Sequence, residues 1–221
     1  MTALVNFPML GGLDEGARRR LLSAGDLRRF GCREIIFHEG DLGDSLHLIM
    51  SGRVAVRVTT PLGDTATLSL LATGDTFGEL ALLDPDARRT ATVVALEPTR
   101  TLALRRPILL ALRQQHAEID QVLSAHLAGY VRRLSAMVLE AMYLPVEQRV
   151  ARRLAHVAEL YADPAGSGAE IRLTQDDVAS LAGTTRATAN RVLRALESRG
   201  LLVLSRGRIT VPDRARLAGF A

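Results

Sequence analysis

Gly52, Gly63 and Gly74 stand eleven residues apart, and the segments between them are β-branched or alternate apolar with polar. A chain that must reverse at such even intervals makes short strands of similar length. Residues 33–105 therefore predict a compact β barrel or sandwich. The strands expected are REIIF (33–37), SLHLIM (45–50), RVAVRVTT (53–60), TATLSLL (65–71), TATVVAL (90–96) and TRTLALR (99–105). Gly40 and Gly43 mark further turns, and PLGD at 61–64 is suited to a hairpin. A short helix rich in Arg and Leu, Leu13 to Leu27, leads into this region.

Three residues separate the third glycine from GELALLDPDARRTATV, Gly78 to Val93. Gly78 lets backbone approach a ligand closely. Glu79 offers a carboxylate that can accept from sugar hydroxyls, and Arg89 a planar fork suited to phosphate. Thr90 and Ala91 add a hydroxyl and exposed amides beside that fork. Such a stretch predicts a pocket for a small phosphorylated molecule.

From Pro107 the texture turns helical, since a proline is tolerated where the first-turn N–H is unpaired anyway. Leu123, Leu127, Tyr130, Leu134, Met137, Ala141 and Leu144 alternate spacings of four and three over three heptads. That spacing describes a coiled-coil seam between two copies, or alternatively the stripe that seats a helix on its own core. Pro145 closes the helix and makes a hinge.

The next motif is LTQDDVASLAGTTRATANRVLRALESR, residues 173–199. Thr174 can cap a helix whose first turn carries Asp176 and Asp177, favourable at the positive end of the helix dipole. Gly183 makes a tight turn, and Thr185 can cap a second helix. In that helix Ala189, Val192, Leu193 and Leu196 point inward, leaving Arg186, Ala187, Asn190 and Arg191 outside. This is a helix-turn-helix whose second helix suits the major groove. LLVLSRGRITV then reads as a hairpin turning at Arg206–Gly207.

Charge agrees with a polyanion partner at this end. Residues 149–221 hold 12 Arg against 7 acidic residues, a net of +5, whereas residues 1–148 hold 16 Arg against 17 acids, a net of −1. All 28 basic residues are Arg.

These motifs resemble those of the CRP/FNR superfamily of bacterial transcription regulators. Residues 78–93 are similar to its phosphate-binding cassette, HEGD (38–41) and SGRVAV (51–56) to signposts of its β roll, and the final hairpin to its wing. The resemblance implies an α+β chain with an N-terminal antiparallel β-roll, the cyclic-nucleotide-binding jelly roll, over residues 1–115. A dimerisation helix and hinge would follow over 116–145, and a C-terminal winged helix-turn-helix over 146–221. It implies a homodimer through Leu123, Leu127, Tyr130, Leu134, Met137 and Ala141.

It also implies cyclic AMP or another cyclic nucleotide as effector, held by Gly78, Glu79, Leu80, Ala81, Arg89, Thr90 and Ala91, with Ser135 reaching across the dimer. Arg89 and Thr90 would take the phosphate and Glu79 the ribose 2′-hydroxyl. The positions that contact adenine in cyclic-AMP-binding relatives fall on Leu134 and Ser135, and Leu134 cannot hydrogen-bond a base. Tyr130 stands where many relatives have Arg. A second reading therefore keeps the cassette as architecture, with Glu79 paired to Arg89 and another ligand or none.

On the DNA side the resemblance implies contacts from Thr174, Thr185, Arg186, Ala187, Thr188, Asn190, Arg191 and Arg206 to a near-palindromic operator, and RNA polymerase as a further partner, met through DPAGSGAE at 163–170. The best-known members carry Glu where this sequence has Ala187, so the operator should differ at that base pair. A nucleotide-sensing subunit that binds protein in place of DNA is the other class the motifs allow.

An enzyme is not expected, because no nucleophile, base or metal cluster appears. His38, His47, His116, His126 and His156 lack ligand spacing and are expected at surface or half-buried positions. Cys32 stands alone, which rules out an internal disulfide. With no signal-like start and no apolar run near ~20 residues, a cytoplasmic protein without a membrane span is expected.

Overall fold

The computed structural model describes residues 5–61, 63–82, 88–116, 118–163 and 166–220. Leu62 of the expected hairpin, cassette residues 83–87, the side chain of Ala81, and residues 164–165 of the expected polymerase-facing loop lie outside the described residues. Two compact units divide the chain, residues 1–58 with 70–134, and residues 59–69 with 135–221.

In the first unit a helix α1 (Glu15–Ser23) is capped by the Asp14 side chain, which accepts from the Ala17 amide at 2.8 Å. It is shorter than expected. Asp26–Phe30 forms strand β1, with Leu27 opposite Leu102, so Leu27 belongs to a sheet and not to the helix. The reason is tertiary: pairing with a neighbouring strand outweighs the modest helix preference of Leu and Arg.

All six expected strands form: β2 (Ile35–Phe37), β3 (Ser45–Ser51), β4 (Arg53–Thr59), β5 (Thr65–Ala72), β7 (Thr92–Ala95) and β8 (Thr99–Arg105). The two-residue β6 (Thr76–Phe77) lies between β5 and β7. They make two four-stranded sheets, ordered β1-β8-β3-β6 and β2-β7-β4-β5. β8 pairs antiparallel with both β1 and β3, and β7 with both β2 and β4.

Alternation along β3 explains the layers, because successive side chains take opposite faces. Leu46 and Leu48 pack with Phe7, Leu10, Leu21 and with Leu109 and Leu112 of helix α2 (Arg106–Gln115). On the other face Ile49 joins Phe77, Val54 and Val93, which come from both sheets, so the sheets pack face to face. Burying each such side chain contributes about 1.5–3 kcal/mol. Pro107 lies in the first turn of α2, as expected, and helix α3 follows (Glu118–Tyr143).

The second unit holds helix α4 (Val146–Leu160), strand β9 (Ala169–Ile171), helices α5 (Gln175–Ala182) and α6 (Arg186–Ser198), strands β10 (Val203–Ser205) and β11 (Arg208–Val211), and helix α7 (Arg214–Phe220). Its core gathers Leu154, Val157, Val178, Val192, Leu193, Leu196, Ile209 and Leu217, all buried. β9 pairs antiparallel with β11 and completes a three-stranded wing, β10-β11-β9. Ala169 and Glu170, expected in a loop, therefore lie in a strand. Glu170 accepts from Arg208 at 2.9 Å and from Arg172 at 3.3 Å. Among the described residues, no helix is long and apolar enough to cross a membrane.

Candidate nucleotide pocket and nucleic-acid interface

Arg89 is 5 % exposed, an unusual depth for a guanidinium. Its Nη1 donates to the carbonyl oxygens of Ser45 at 2.8 Å and Gly78 at 3.3 Å, and its Nη2 donates to the Ser45 hydroxyl at 3.0 Å. Nη2 also approaches Asp44 Oδ1 at 3.5 Å, and the guanidinium lies 4.1 Å from the centre of the Phe37 ring. Its Nε is buried without a hydrogen-bond partner among the described residues. Burial, only partly opposed by Asp44, Asp41 and Glu79, pulls the guanidinium below the ordinary arginine range. A desolvated cation with a spare donor is a site that favours an anion.

Gly78 is what admits the arginine. Its φ is +87°, and a Cβ there would sit 2.6 Å from Arg89 Nη1 and 2.9 Å from the Ser45 carbonyl oxygen. Glu79 begins a short 3-10 turn and is buried, while Leu80 is half-buried. Arg89 hydrogen-bonds to Ser45, Gly78 and Asp44, and Glu79 acts on it through charge without a hydrogen bond between them among the described residues. Thr90 is exposed and Ala91 buried. On α3, burial first and then the Glu79 carboxylate push the Tyr130 phenol above its ordinary value, and Arg133 opposes them 5.7 Å from the ring centre.

The rest of α3 carries two apolar rows. Leu123 is 5 % exposed, buried within the chain itself, and Leu127, Tyr130, Leu134 and Met137 are half-buried. Ala141 is exposed. The large apolar side chains that α3 leaves open are Val131, Val138, Leu139, Met142 and Tyr143. At its Leu123 end the stripe serves the helix's own core, and the open face lies one position along. Ser135 is on that face, exposed, between Val131 and Val138.

A buried histidine sits behind the arginine. His47 is 6 % exposed and so buried, where a surface or half-buried position was expected, because β3 alternation turns it inward beside Ile49. Its ring stacks on Phe77 with centroids 5.0 Å apart and planes at 9°. Nδ1 shares a hydrogen bond with Thr101 Oγ1 at 3.0 Å, and Nε2 shares one with Ser45 Oγ at 3.3 Å. Burial, then the Arg89 charge, lowers its pKa to about 4, so the ring is neutral. Ser45, Asp44 and Phe37 were not identifiable as site residues in the sequence. They reach Arg89 only through the pairing of the strands.

In the second unit Thr174 and Asp177 form a reciprocal cap. The Asp177 amide donates to Thr174 Oγ1 at 3.2 Å, and the Thr174 amide to Asp177 Oδ2 at 2.8 Å. Gly183 takes the left-handed conformation with φ +58°, which reverses the chain between α5 and α6. Thr185 caps α6, accepting from the half-buried Thr188 at 3.2 Å. Ala189, Val192, Leu193 and Leu196 are buried, as the inward spacing predicts.

Arg186, Ala187 and Arg191 are exposed, and Asn190 is half-buried. Arg186 lies 3.5 Å from Asp176, and Arg191 lies 3.2 Å from Glu147, both exposed pairs. Exposed pairs of this kind are worth roughly 0–1 kcal/mol, little hindrance to a stronger anion. Arg206 is exposed beside Gly207 at the turn between β10 and β11. Gln175, absent from the sequence-based site, donates to Asn190 Oδ1 at 3.0 Å. Among the described residues no His, Cys, Asp and Glu group could hold a metal ion.

A sequence model of the cyclic nucleotide-binding domain matches residues 27–116, and a model of the Crp-like helix-turn-helix domain matches residues 148–220. The chain is similar to the cyclic AMP receptor protein of Thermus thermophilus, 39% identical over 186 residues that cover 84% of this chain and 83% of the relative. It is also similar to a CRP-like cAMP-activated global transcriptional regulator of Mycobacterium tuberculosis, 30% identical over 83% of this chain and 82% of that one. In fold it is similar to the global regulator CLP of Xanthomonas campestris, with a TM-score of 0.76 at 22% identity, covering 90% of this chain and 99% of CLP. The chain belongs to the CRP/FNR family, as a CRP-like DNA-binding transcription regulator with a cyclic nucleotide-binding domain.

Proposed function

We propose that the protein is a homodimer that takes a cyclic nucleotide, cyclic AMP first, in its β-roll and so changes its affinity for a near-palindromic operator. The observation that carries the effector reading is Arg89, buried and desolvated, with an Nε donor that has no partner among the described residues. A cyclic phosphate would take that donor and displace the long contact to Asp44. Thr90 and Ala91 would add a hydroxyl and an amide to the phosphate. Glu79, not consumed by Arg89, would accept from the ribose 2′-hydroxyl, with Gly78, Leu80 and Ala81 forming the floor. The similar proteins from Thermus thermophilus and Mycobacterium tuberculosis carry cyclic AMP in their names.

The dimer reading uses the open face of α3. Val131, Ser135, Val138 and Met142 alternate spacings of four and three, the pattern of a coiled-coil seam, and a second copy would cover them. Ser135 would then stand in the partner's pocket. Leu127, Tyr130, Leu134, Met137 and Ala141 would flank the seam. In this reading 1–115 is the effector domain, 116–145 the dimerisation helix and hinge, and 146–221 the DNA-binding domain. Thr174, Thr185, Arg186, Ala187, Thr188, Asn190, Arg191 and Arg206 would face DNA, in the cytoplasm, where RNA polymerase is a further partner. Two recognition helices must sit about one DNA turn apart, ~34–36 Å, to enter successive major grooves. The effector can bias that spacing only by its differential affinity for two forms of the dimer.

Titration calorimetry with cyclic AMP and with cyclic GMP, on the natural chain and on Arg89→Ala, tests the pocket. Heat with a nucleotide that vanishes in Arg89→Ala is the expected result, and no heat with either nucleotide removes the effector reading. Footprinting with and without the nucleotide tests the switch, which equal occupancy would defeat.

A further inference from the structure

The outward face of α6 has a short centre. Arg186 leans toward Asp176 and Arg191 toward Glu147, and between them lie Ala187 and Asn190. Residue 190 is one turn beyond 186 and three positions beyond 187, so all three share a face. Ala187 projects only a methyl, and Asn190 beside it is half-buried. The Asn190 amide does not rotate freely. Gln175, the first residue of α5, donates from Nε2 to Asn190 Oδ1 at 3.0 Å. In this pairing Oδ1 faces Gln175 and Nδ2 is turned away from it.

An asparagine amide matches the major-groove edge of one base only in full. Its Nδ2 donates to adenine N7 while its Oδ1 accepts from the adenine N6 amino group. The Oδ1 atom has two lone pairs, and Gln175 occupies one, so the second is available to the base. Nδ2 keeps both of its hydrogens for N7 and for water. We propose that Asn190, its amide oriented by Gln175, selects adenine at one base pair of each operator half-site. Gln175 is a positioning residue in this scheme. The inference rests on the reading of α6 as the helix that enters the groove, and adds the base it prefers there.

Selection of binding sites from a random duplex library, using the full-length protein with cyclic AMP present and absent, tests it. One column, repeated with dyad symmetry, should prefer adenine roughly 5- to 150-fold over the other bases. Asn190→Ala should flatten that column and leave the others unchanged. Asn190→Asp, which keeps the shape but only accepts, should move the same column toward cytosine, whose N4 amino group donates. Gln175→Ala should weaken the adenine preference in that column alone. A change of preferred base cannot arise from a fold that is merely weakened. Selected sites whose columns are all indifferent to Asn190→Ala and Asn190→Asp would overturn the inference and leave the DNA-binding reading intact. If the natural chain retained no duplex in either condition, both would fall.

Discussion

Arg89 spends both terminal nitrogens of its guanidinium on Ser45, Nη1 on the carbonyl oxygen at 2.8 Å and Nη2 on the hydroxyl at 3.0 Å. The same hydroxyl donates to Asp44 Oδ1 at 2.8 Å and shares a hydrogen bond with His47 Nε2. The first residue of β3 thus ties the arginine to the inner layer of the β-roll. Ser45→Ala keeps the carbonyl and deletes the hydroxyl. Stability should fall by about 0.5–1.5 kcal/mol, read as a lower urea midpoint at unchanged slope. Nucleotide affinity should fall with it, because Arg89 loses one of the groups that aim it.

Gly78→Ala acts on the same arginine from the other side. The new Cβ meets Arg89 Nη1 and a backbone oxygen at once, on a backbone with φ +87°. Left-handed strain alone costs about 1–2 kcal/mol, and the guanidinium must also leave its seat. A stability loss of at least this size is expected by chemical denaturation, together with loss of the calorimetric heat on adding cyclic AMP.

His47 makes the β-roll sensitive to acid in a defined window. Its folded pKa of about 4 is below the ordinary 6.5, so the folded state refuses a proton that the unfolded chain accepts. Above pH 6.5 both states are neutral and the residue contributes no pH dependence. As pH falls from 6.5 to 4 the unfolded chain is progressively favoured, by about 3 kcal/mol in all. His47→Phe keeps a ring beside Phe77 and cannot titrate. The difference in unfolding free energy between the two proteins, measured at pH 7, 5.5 and 4, should shift by that amount in favour of the variant. A constant difference across the three pH values would show that the ring is not held neutral.

Much of this was legible in the sequence. Strands spaced by glycines, the caps at Thr174 and Thr185, the turn at Gly183 and the inward face of α6 are set by local chemistry that a linear pattern carries. The partners of Arg89 were not legible, since Ser45 and Phe37 reach it across strand pairings that no spacing encodes. The short strands β1, β6 and β9 exist only because a neighbour completes their ladders. The α3 stripe left two readings open for a definite reason: two apolar rows run along that helix one residue apart, and periodicity alone does not say which row meets the chain's own core.

The caps of the DNA-reading head can be weighed directly. Thr174→Ala removes the acceptor for the Asp177 amide, and Thr185→Ala the acceptor for the Thr188 amide. Each should cost about 0.5–2 kcal/mol of stability. Gly183→Ala meets no atom within 4 Å, so its cost is backbone strain alone, about 1–2 kcal/mol. Thermal unfolding of the three variants checks these values. Operator affinity should fall most for Thr185→Ala, whose cap orders the first turn of α6, where Arg186 stands.

The two rows of α3 separate in a mutational test. Leu123 is buried in its own protomer, so Leu123→Ala should cost about 2–5 kcal/mol of folding stability. Val131 and Val138 are 61% and 56% exposed in the single chain, so Val131→Asp and Val138→Asp leave the protomer's own packing intact. In a dimer built on that row each aspartate would be buried against its symmetry mate, two like charges with no partner. The double variant should therefore run as a folded monomer in light scattering, and its melting temperature should lose the concentration dependence that a dimer shows. Because a dimer would grip a near-palindrome with two heads, its operator affinity should drop toward that of a single head. A double variant that stays dimeric would place the seam on another face of the helix.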